Sequence, residues 1–384
     1  MAKFDHRINL PQIFSDNNLA ILPISRGDYI ISHFSAYHSF EPTEDRAQNL
    51  SLPAHIQSLD ANNVPSETVA INCALASGIL SDFLEEDTLC STVSGRMGSG
   101  NFDFKILNTA TNSLSAVQVS NSQIEIDAAF EGIESLALIE AKLDLSDDFL
   151  VRQLYYPFRV WRERITKKVR PIFLVYSNGI YNLYEYEFKD PDEYNSLALI
   201  KSKNYSIEDT IIEMSDLLGV AERITTFATE PDIPFPQADS FERVINLCEL
   251  IGTNTVNSEE ITDNYAFDAR QTKYYSDAAR YLGLINKFSE DRKPFFALSS
   301  LGKSIMNLSY KQRQLAFCQI ILEHKAFHDT FSLWLSQGSV PEKKDVVQIM
   351  RQANLFNMDS ESTYHRRAST VRRWINWILG LIQE

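Results

Sequence analysis

The chain of 384 residues predicts two parts of different fold class: an α/β part with a mixed central sheet flanked by helices, then a mainly α-helical C-terminal region. Three observations carry this. Short apolar runs, such as Leu136 to Ile139 and Ile172 to Tyr176, are bounded by turn residues and have the length of buried strands. Stretches of helical periodicity with capping residues lie between them. Three prolines in six residues, Pro231, Pro234 and Pro236, stiffen an extended linker, beyond which helical periodicity dominates.

Composition bounds the rest. A hydrophobic share of 44%, with 23 Phe and 16 Tyr, is enough for large cores. A net charge of −15 excludes a nucleic-acid surface running over the whole chain, although local basic patches still decide contact. Cys73, Cys90, Cys248 and Cys318 have no zinc-ligand spacing and suggest no disulfides. The first residues lack a signal-peptide pattern and no apolar run reaches about 18 residues, so a cytoplasmic protein is expected.

Taken in order, residues 1–64 contain short strand-like runs around Ile21 and Ile30 and are expected to pack on the core without an assigned role. His33 and His38 read as ordinary strand and loop residues. Residues 66–87 open on Ser66 and Glu67 like a capped helix, with Val69, Ile71, Cys73, Leu75, Ile79 and Phe83 as its apolar face. The glycine-rich 95–100 lacks the lysine and spacing of a phosphate loop and reads as a tight turn into a strand at 102–107.

The stretch 123–161 carries the chemistry. Asp127 ends the run Ile124, Glu125, Ile126, and Glu140 and Lys142 flank Ala141 in a second apolar run. On a strand Glu140 and Lys142 share one face, and Asp127, one hairpin earlier, is a cross-strand neighbour of Glu140. Two facing carboxylates repel unless a cation lies between them, and a hard divalent ion takes such oxygen ligands. Lys142 beside them holds or deprotonates a water, which together is hydrolytic chemistry on a phosphodiester. The alternative is an exposed edge hairpin with a solvated Glu–Lys pair.

After the hairpin, Asp147 and Asp148 read as a helix start, and Leu150, Leu154, Phe158 and Trp161 form an apolar stripe. Arg159, Arg162, Arg164, Lys167, Lys168 and Arg170 either answer the helix dipole or contact phosphate. Strands at 171–176 and 180–188 are joined by an Asn178-Gly179 turn, and 197–201 reads as one more strand.

Asp127, the Glu140-Ala141-Lys142 triplet and the helix-then-strand order after it resemble the PD-(D/E)XK nuclease superfamily, which includes most type II restriction endonucleases. The resemblance covers about residues 65 to 200. It departs from the pattern in Ile126, where proline is common, and in Pro157, where a tyrosine commonly follows the helix glutamine. It implies an α/β restriction-endonuclease-like core over 65–230 and Mg²⁺ as cofactor. Asp127, Glu140 and the Ala141 carbonyl would ligate the metal, Lys142 would position and activate water, and Gln153 would lie near the scissile phosphate. An extra carboxylate from the preceding helix would be Glu67, Glu85 or Glu86.

Beyond the linker, helices at 241–251, near 258 and at 268–282 precede a hairpin turning at Glu290, Asp291, Arg292 and Lys293. This order resembles a winged helix over 237–308, and puts Arg270, Gln271, Lys273 and Tyr274 on a helix facing the major groove. Residues 309–384 are expected to repeat the plan loosely, as a second helical, winged-helix-like unit. Its last helix carries His365, Arg366, Arg367, Arg372 and Arg373, suited to phosphate or guanine. The expected whole is a Mg²⁺-dependent type II restriction endonuclease cutting double-stranded DNA at a specific sequence, as a homodimer at least on DNA. A repair or recombination nuclease of the same fold, or a non-catalytic DNA-binding regulator, are the alternatives.

Overall fold

The computed structural model describes residues 4–42, 46–208, 211–290 and 292–382. The chain forms two compact units, Met1–Ile207 and Glu208–Glu384.

The first unit opens with α1 (Gln12–Asp16) and the strands β1 (Ala20–Pro23), β2 (Tyr29–Ser32), β3 (Tyr37–Ser39) and β4 (Gln48–Asn49). The helices α2 (Glu67–Ala76) and α3 (Ile79–Leu84) follow. Ser66 caps α2 by accepting the Val69 N–H, and Gly78, at φ 84°, makes the left-handed break that splits the expected single helix in two. Next come β5 (Cys90–Gly98), β6 (Asn101–Asn108), β7 (Ser113–Ser120), β8 (Gln123–Glu131), β9 (Ser135–Lys142) and β10 (Asp148–Leu150). The unit closes with α4 (Arg152–Arg162), β11 (Lys168–Ser177), β12 (Ile180–Phe188) and β13 (Leu197–Ser206).

A seven-stranded mixed sheet in the order β4-β13-β12-β11-β9-β8-β5 is the backbone of this unit. β5, β8 and β9 form an antiparallel meander, and β9 runs parallel to β11. A parallel neighbour requires a crossover, which α4 supplies. β11 and β12 turn at Asn178 and Gly179, both at positive φ. One face of the sheet buries Ile139, Ala141, Ile172 and Leu174 against α2 and α3. The other buries Phe173, Val175 and Tyr186 with Leu154, Tyr155 and Tyr156 of α4 and with Leu22, Phe34 and Tyr37 of the N-terminal segment. Two local expectations change. The glycine turn at 95–100 does not fold β5 onto β6, because β5 pairs with β8 and β6 with β7 in a separate sheet. Asp148 does not cap α4, because Asp148 to Leu150 pair with Tyr37 to Ser39, and α4 begins after Val151 without a side-chain cap.

The second unit starts ahead of the proline stretch, since α5 (Met214–Arg223) belongs to it. Asp216 pairs with Lys311 at 2.7 Å, and Glu208 accepts the Tyr310 N–H at 2.6 Å. The expected linker is anchored too, because Phe235 is buried against Tyr281 and Phe327. Then follow α6 (Phe241–Ile251), β14 (Val256–Asn257), α7 (Ser258–Asn264), α8 (Ala269–Tyr281), β15 (Ile285–Glu290) and β16 (Lys293–Leu298). These three strands form one sheet in the order β14-β16-β15. Asp291, in the expected turn, lies outside the described residues.

The rest is helical: α9 (Ser300–Met306), α10 (Tyr310–Leu322), α11 (Lys325–Gln337), α12 (Lys343–Gln352) and α13 (Glu361–Gly380). No hairpin follows β16 among the described residues, so the second stretch has no wing. The two expected modules also share one core. Phe241 of α6 packs on Trp374 and Trp377 of α13 at 4.9 and 4.3 Å between ring centroids, and the Trp374 indole donates to the Ala238 carbonyl at 2.7 Å. Large aromatic faces from both stretches bury each other, which fuses what the sequence reads as two modules.

Candidate active site

The β8–β9 ladder ends at the Ala128–Ile139 pair, one residue short of Asp127 and Glu140. Side-chain alternation on β8 also breaks there, with Ala128 on the α2 side and Ile126 and Ala129 against Leu136 and Leu138. Where the strands part, the Asp127 Oδ2 accepts the backbone N–H of Ala141 at 2.8 Å. This carboxylate thus satisfies a buried donor that the ladder leaves open.

Glu140 is 9% exposed, and its Oε1 accepts from Lys142 Nζ at 2.8 Å and from Gln153 Nε2 at 2.5 Å. Gln153 reaches it because α4 crosses directly after the β9 end. Pro157 lacks an N–H, so the Gln153 carbonyl has no partner one turn on within α4. The Gln153 Oε1 is buried without a hydrogen bond. Among the described residues, Asp127 Oδ1 and Glu140 Oε2 accept no hydrogen bond. Lys142 also lies 3.7 Å from Glu67, the first residue of α2.

The electrostatics are strained. Burial, with Asp127 adding repulsion, outweighs Lys142 and pushes the Glu140 carboxyl up to about 8. Burial lifts Glu67 to about 7 against the pull of Lys142. Burial also raises Asp127, against Lys142 and the Ala141 N–H. Burial opposes the Lys142 ammonium, but Glu140, Glu67, Asp5 and Asp127 prevail and hold the amine well above its ordinary range. Lys142 is therefore a cation that donates.

The sequence-predicted residues Asp127, Glu140, Ala141, Lys142 and Gln153 thus meet at one strand end. Of the helix carboxylates, only Glu67 joins them. Glu85 pairs with Lys201 at 2.5 Å, and Glu86 bonds the Ser135 hydroxyl and lies 3.9 Å from Arg170. The N-terminal segment, to which sequence gave no role, also arrives here. His6 contacts Asp144 at 2.9 Å, and the Asp5 charge acts on Glu67, Asp127, Glu140 and Lys142. No local signal near Asp5 points across more than a hundred residues to this site.

Among the described residues, no three His, Cys, Asp or Glu side chains converge as a metal cluster. The donor set still suits a hard divalent ion. Among the described residues Asp127 and Glu140 each keep one carboxylate oxygen open, and burial raises the proton affinity of both against the pull of Lys142.

The basic run at the end of α4 divides between internal and exposed residues. Arg159 is buried on the Asp103 carbonyl, the Tyr155 hydroxyl and Asp192. Arg170 forks onto Glu185 at 2.8 and 2.7 Å, and Lys167 binds Glu131 at 2.7 Å. Arg162, Arg164 and Lys168 remain exposed.

In the second unit Arg270 and Lys273 are exposed on α8, and Gln271 and Tyr274 are half-buried. The Arg270 guanidinium lies over the Tyr274 ring and donates to its hydroxyl at 2.9 Å. Lys273 lines a groove of about 620 Å³ between α7, α8 and the β15–β16 hairpin. The α13 residues separate. Burial lowers Arg367, which feels Tyr274 and Asp277 of α8, so Arg367 belongs with the α8 face, while Arg366 is exposed beside it. Arg373 is instead held by Asp239 at 2.6 Å, Arg372 acts on Glu342, and His365 sits 3.2 Å from Glu361. Three of the five residues of the expected α13 patch thus face acidic side chains.

All four cysteines are free. No helix among the described residues is long and apolar enough to cross a membrane.

Three families match, each described as a domain of unknown function. They are DUF6996 over residues 1–31, DUF6997 over 32–206 and DUF7226 over 243–383. Neither the curated proteins nor the solved structures give a match.

Proposed function

We propose that this chain is a Mg²⁺-dependent DNA endonuclease of the type II restriction class on a PD-(D/E)XK-like core. The observation that carries the reading is the meeting of Asp127, Glu140, Lys142 and Gln153 at one strand end, with Glu67 beside them. The order of elements supports it: helices before the sheet, an antiparallel meander carrying the acids, a helix, then a strand parallel to β9. Asp127, Glu140 and the Ala141 carbonyl would hold Mg²⁺, which when bound supplies charge stabilisation on the phosphate and the leaving oxygen. Lys142, as an ammonium, orients the attacking water. Glu67, with its carboxyl near neutrality, takes the proton. Gln153 fixes the Glu140 carboxylate through Oε1.

The helix–strand–helix–helix–hairpin order of the second unit supports DNA reading in winged-helix fashion by α8, with Arg270, Lys273, Arg366 and Arg367 as the contacts to phosphate or base. Cutting both strands takes two centres, which a homodimer on DNA would supply. The test is Lys142→Ala. It should bind plasmid DNA like the parent and cut it at least a hundredfold more slowly with Mg²⁺. Undiminished cutting would refute the assignment. Discrete fragments from the parent support restriction, cleavage confined to branched DNA moves the reading to repair, and binding without any cutting leaves a regulator.

A further inference from the structure

Four consecutive residues near the start of the chain are each tied to the segment that leaves the candidate catalytic strand, or to its pairing partner β3. The Phe4 carbonyl accepts from the Tyr37 hydroxyl at 2.9 Å, and the Asp5 carbonyl accepts the Leu150 N–H at 2.8 Å. His6 meets the Asp148 carbonyl through Nδ1 at 2.6 Å and Asp144 through Nε2 at 2.9 Å. The Arg7 N–H reaches the Asp148 carboxylate at 3.0 Å. Both His6 nitrogens face acceptors, so both must donate, and the ring is the imidazolium. It is 4% exposed. Its partner Asp144 is two residues beyond Lys142, so His6 fixes the strand end from which Lys142 and Glu140 project. Asp5 differs from its neighbours. Its backbone is anchored, yet among the described residues its carboxylate accepts no hydrogen bond, although its charge acts on the cations His6 and Lys142 and on three acids.

We propose that the N-terminal segment is a working part of the nuclease centre: His6, through Asp144, positions the Lys142 strand end, and Asp5 adds the negative charge that draws a divalent cation between Asp127 and Glu140. This rests on the nuclease reading above. The Asp5 backbone is held by the Leu150 N–H, so its side chain is carried on the same anchored stretch that positions the end of β9.

The experiment uses the full chain and the variants His6→Gln, Asp5→Asn and Asp5→Glu, each first checked for a parent-like melting profile. Cleavage of plasmid with Mg²⁺ is followed for kcat and KM, and Mn²⁺ binding is titrated by calorimetry without DNA. His6→Gln should lower kcat at least tenfold with KM for DNA within threefold, and speed amide exchange at 144–150. Asp5→Asn should weaken Mn²⁺ binding at least fivefold, and Asp5→Glu should restore it to within twofold. Parent-like kcat in His6→Gln together with parent-like Mn²⁺ binding in Asp5→Asn would overturn the proposal while the nuclease reading stands. A parent protein that neither cuts nor binds Mn²⁺ would overturn the nuclease reading itself, and this proposal with it.

Discussion

Replacing Glu140 by glutamine should stabilise the first unit, and the size of the gain follows from where its carboxyl titrates. In the unfolded chain a glutamate titrates near 4.3, whereas in the fold Glu140 is pushed up to about 8 by burial and by Asp127. The folded state therefore holds a proton that the unfolded state has released, and stability falls as pH rises from about 4.3 to about 8, then levels. At pH 7 the gap of roughly 2.7 units amounts to about 4 kcal/mol against folding. Glutamine removes that term, in which the attraction of Lys142 at 2.8 Å is already contained. A gain of up to about 4 kcal/mol would raise the melting temperature of a unit this size by up to about 8–16 °C. Thermal melts of parent and variant between pH 4 and pH 8.5, without divalent metal, check this. The curves should coincide near pH 4 and diverge towards pH 8. If the pair were a structural salt bridge, the variant would instead lose about 3–5 kcal/mol at pH 8. That loss would refute the argument that the cluster is strained for function.

Two further outcomes follow. Arg366→Ala with Arg367→Ala should weaken DNA binding and lower the salt slope of log Kd by about 2, whereas Arg373→Ala, whose charge already faces Asp239, should change affinity less than twofold. Fluorescence anisotropy over a salt series measures both. Arg170→Ala should destabilise the first unit by about 3–5 kcal/mol in urea unfolding, because it strands the buried Glu185 and the Leu84 carbonyl, and a loss under 1 kcal/mol would contradict its structural role.

The hairpin was legible because polar residues in an apolar strand run break a pattern that burial otherwise enforces. Asp127, Glu140 and Lys142 stand out against Ile126, Leu138 and Ile139 by that contrast alone. Asn178 and Gly179 were legible for a local reason as well, since few residue pairs accept two consecutive positive φ angles. What sequence could not supply was long-range partnership. Arg159 and Arg170 read equally as partners of the helix dipole or of phosphate until Asp192 and Glu185 appear opposite them. Asp148 has the chemistry of a helix cap, but the pairing of β10 with β3 claims its backbone first. The missing second wing has the same origin. Trp374 and Trp377 give α13 an apolar face that any helical partner would satisfy, and only the fold makes that partner Phe241.

The same limit explains the silence of sequence about residues 1–64. Their strands are short, and the groups they meet lie more than a hundred positions away, so no periodicity marks the encounter. Physical cost marks it instead. Asp5, Glu67, Asp127, Glu140 and Asp144 gather around Lys142 and His6, and burial raises the proton affinity of three of these acids. An apolar replacement at such a strand end would fold more stably, since a buried ionic cluster is a weak stabiliser even when complete. Burying Glu140 and Glu67 beside Lys142 therefore costs the fold stability that an apolar strand end would keep.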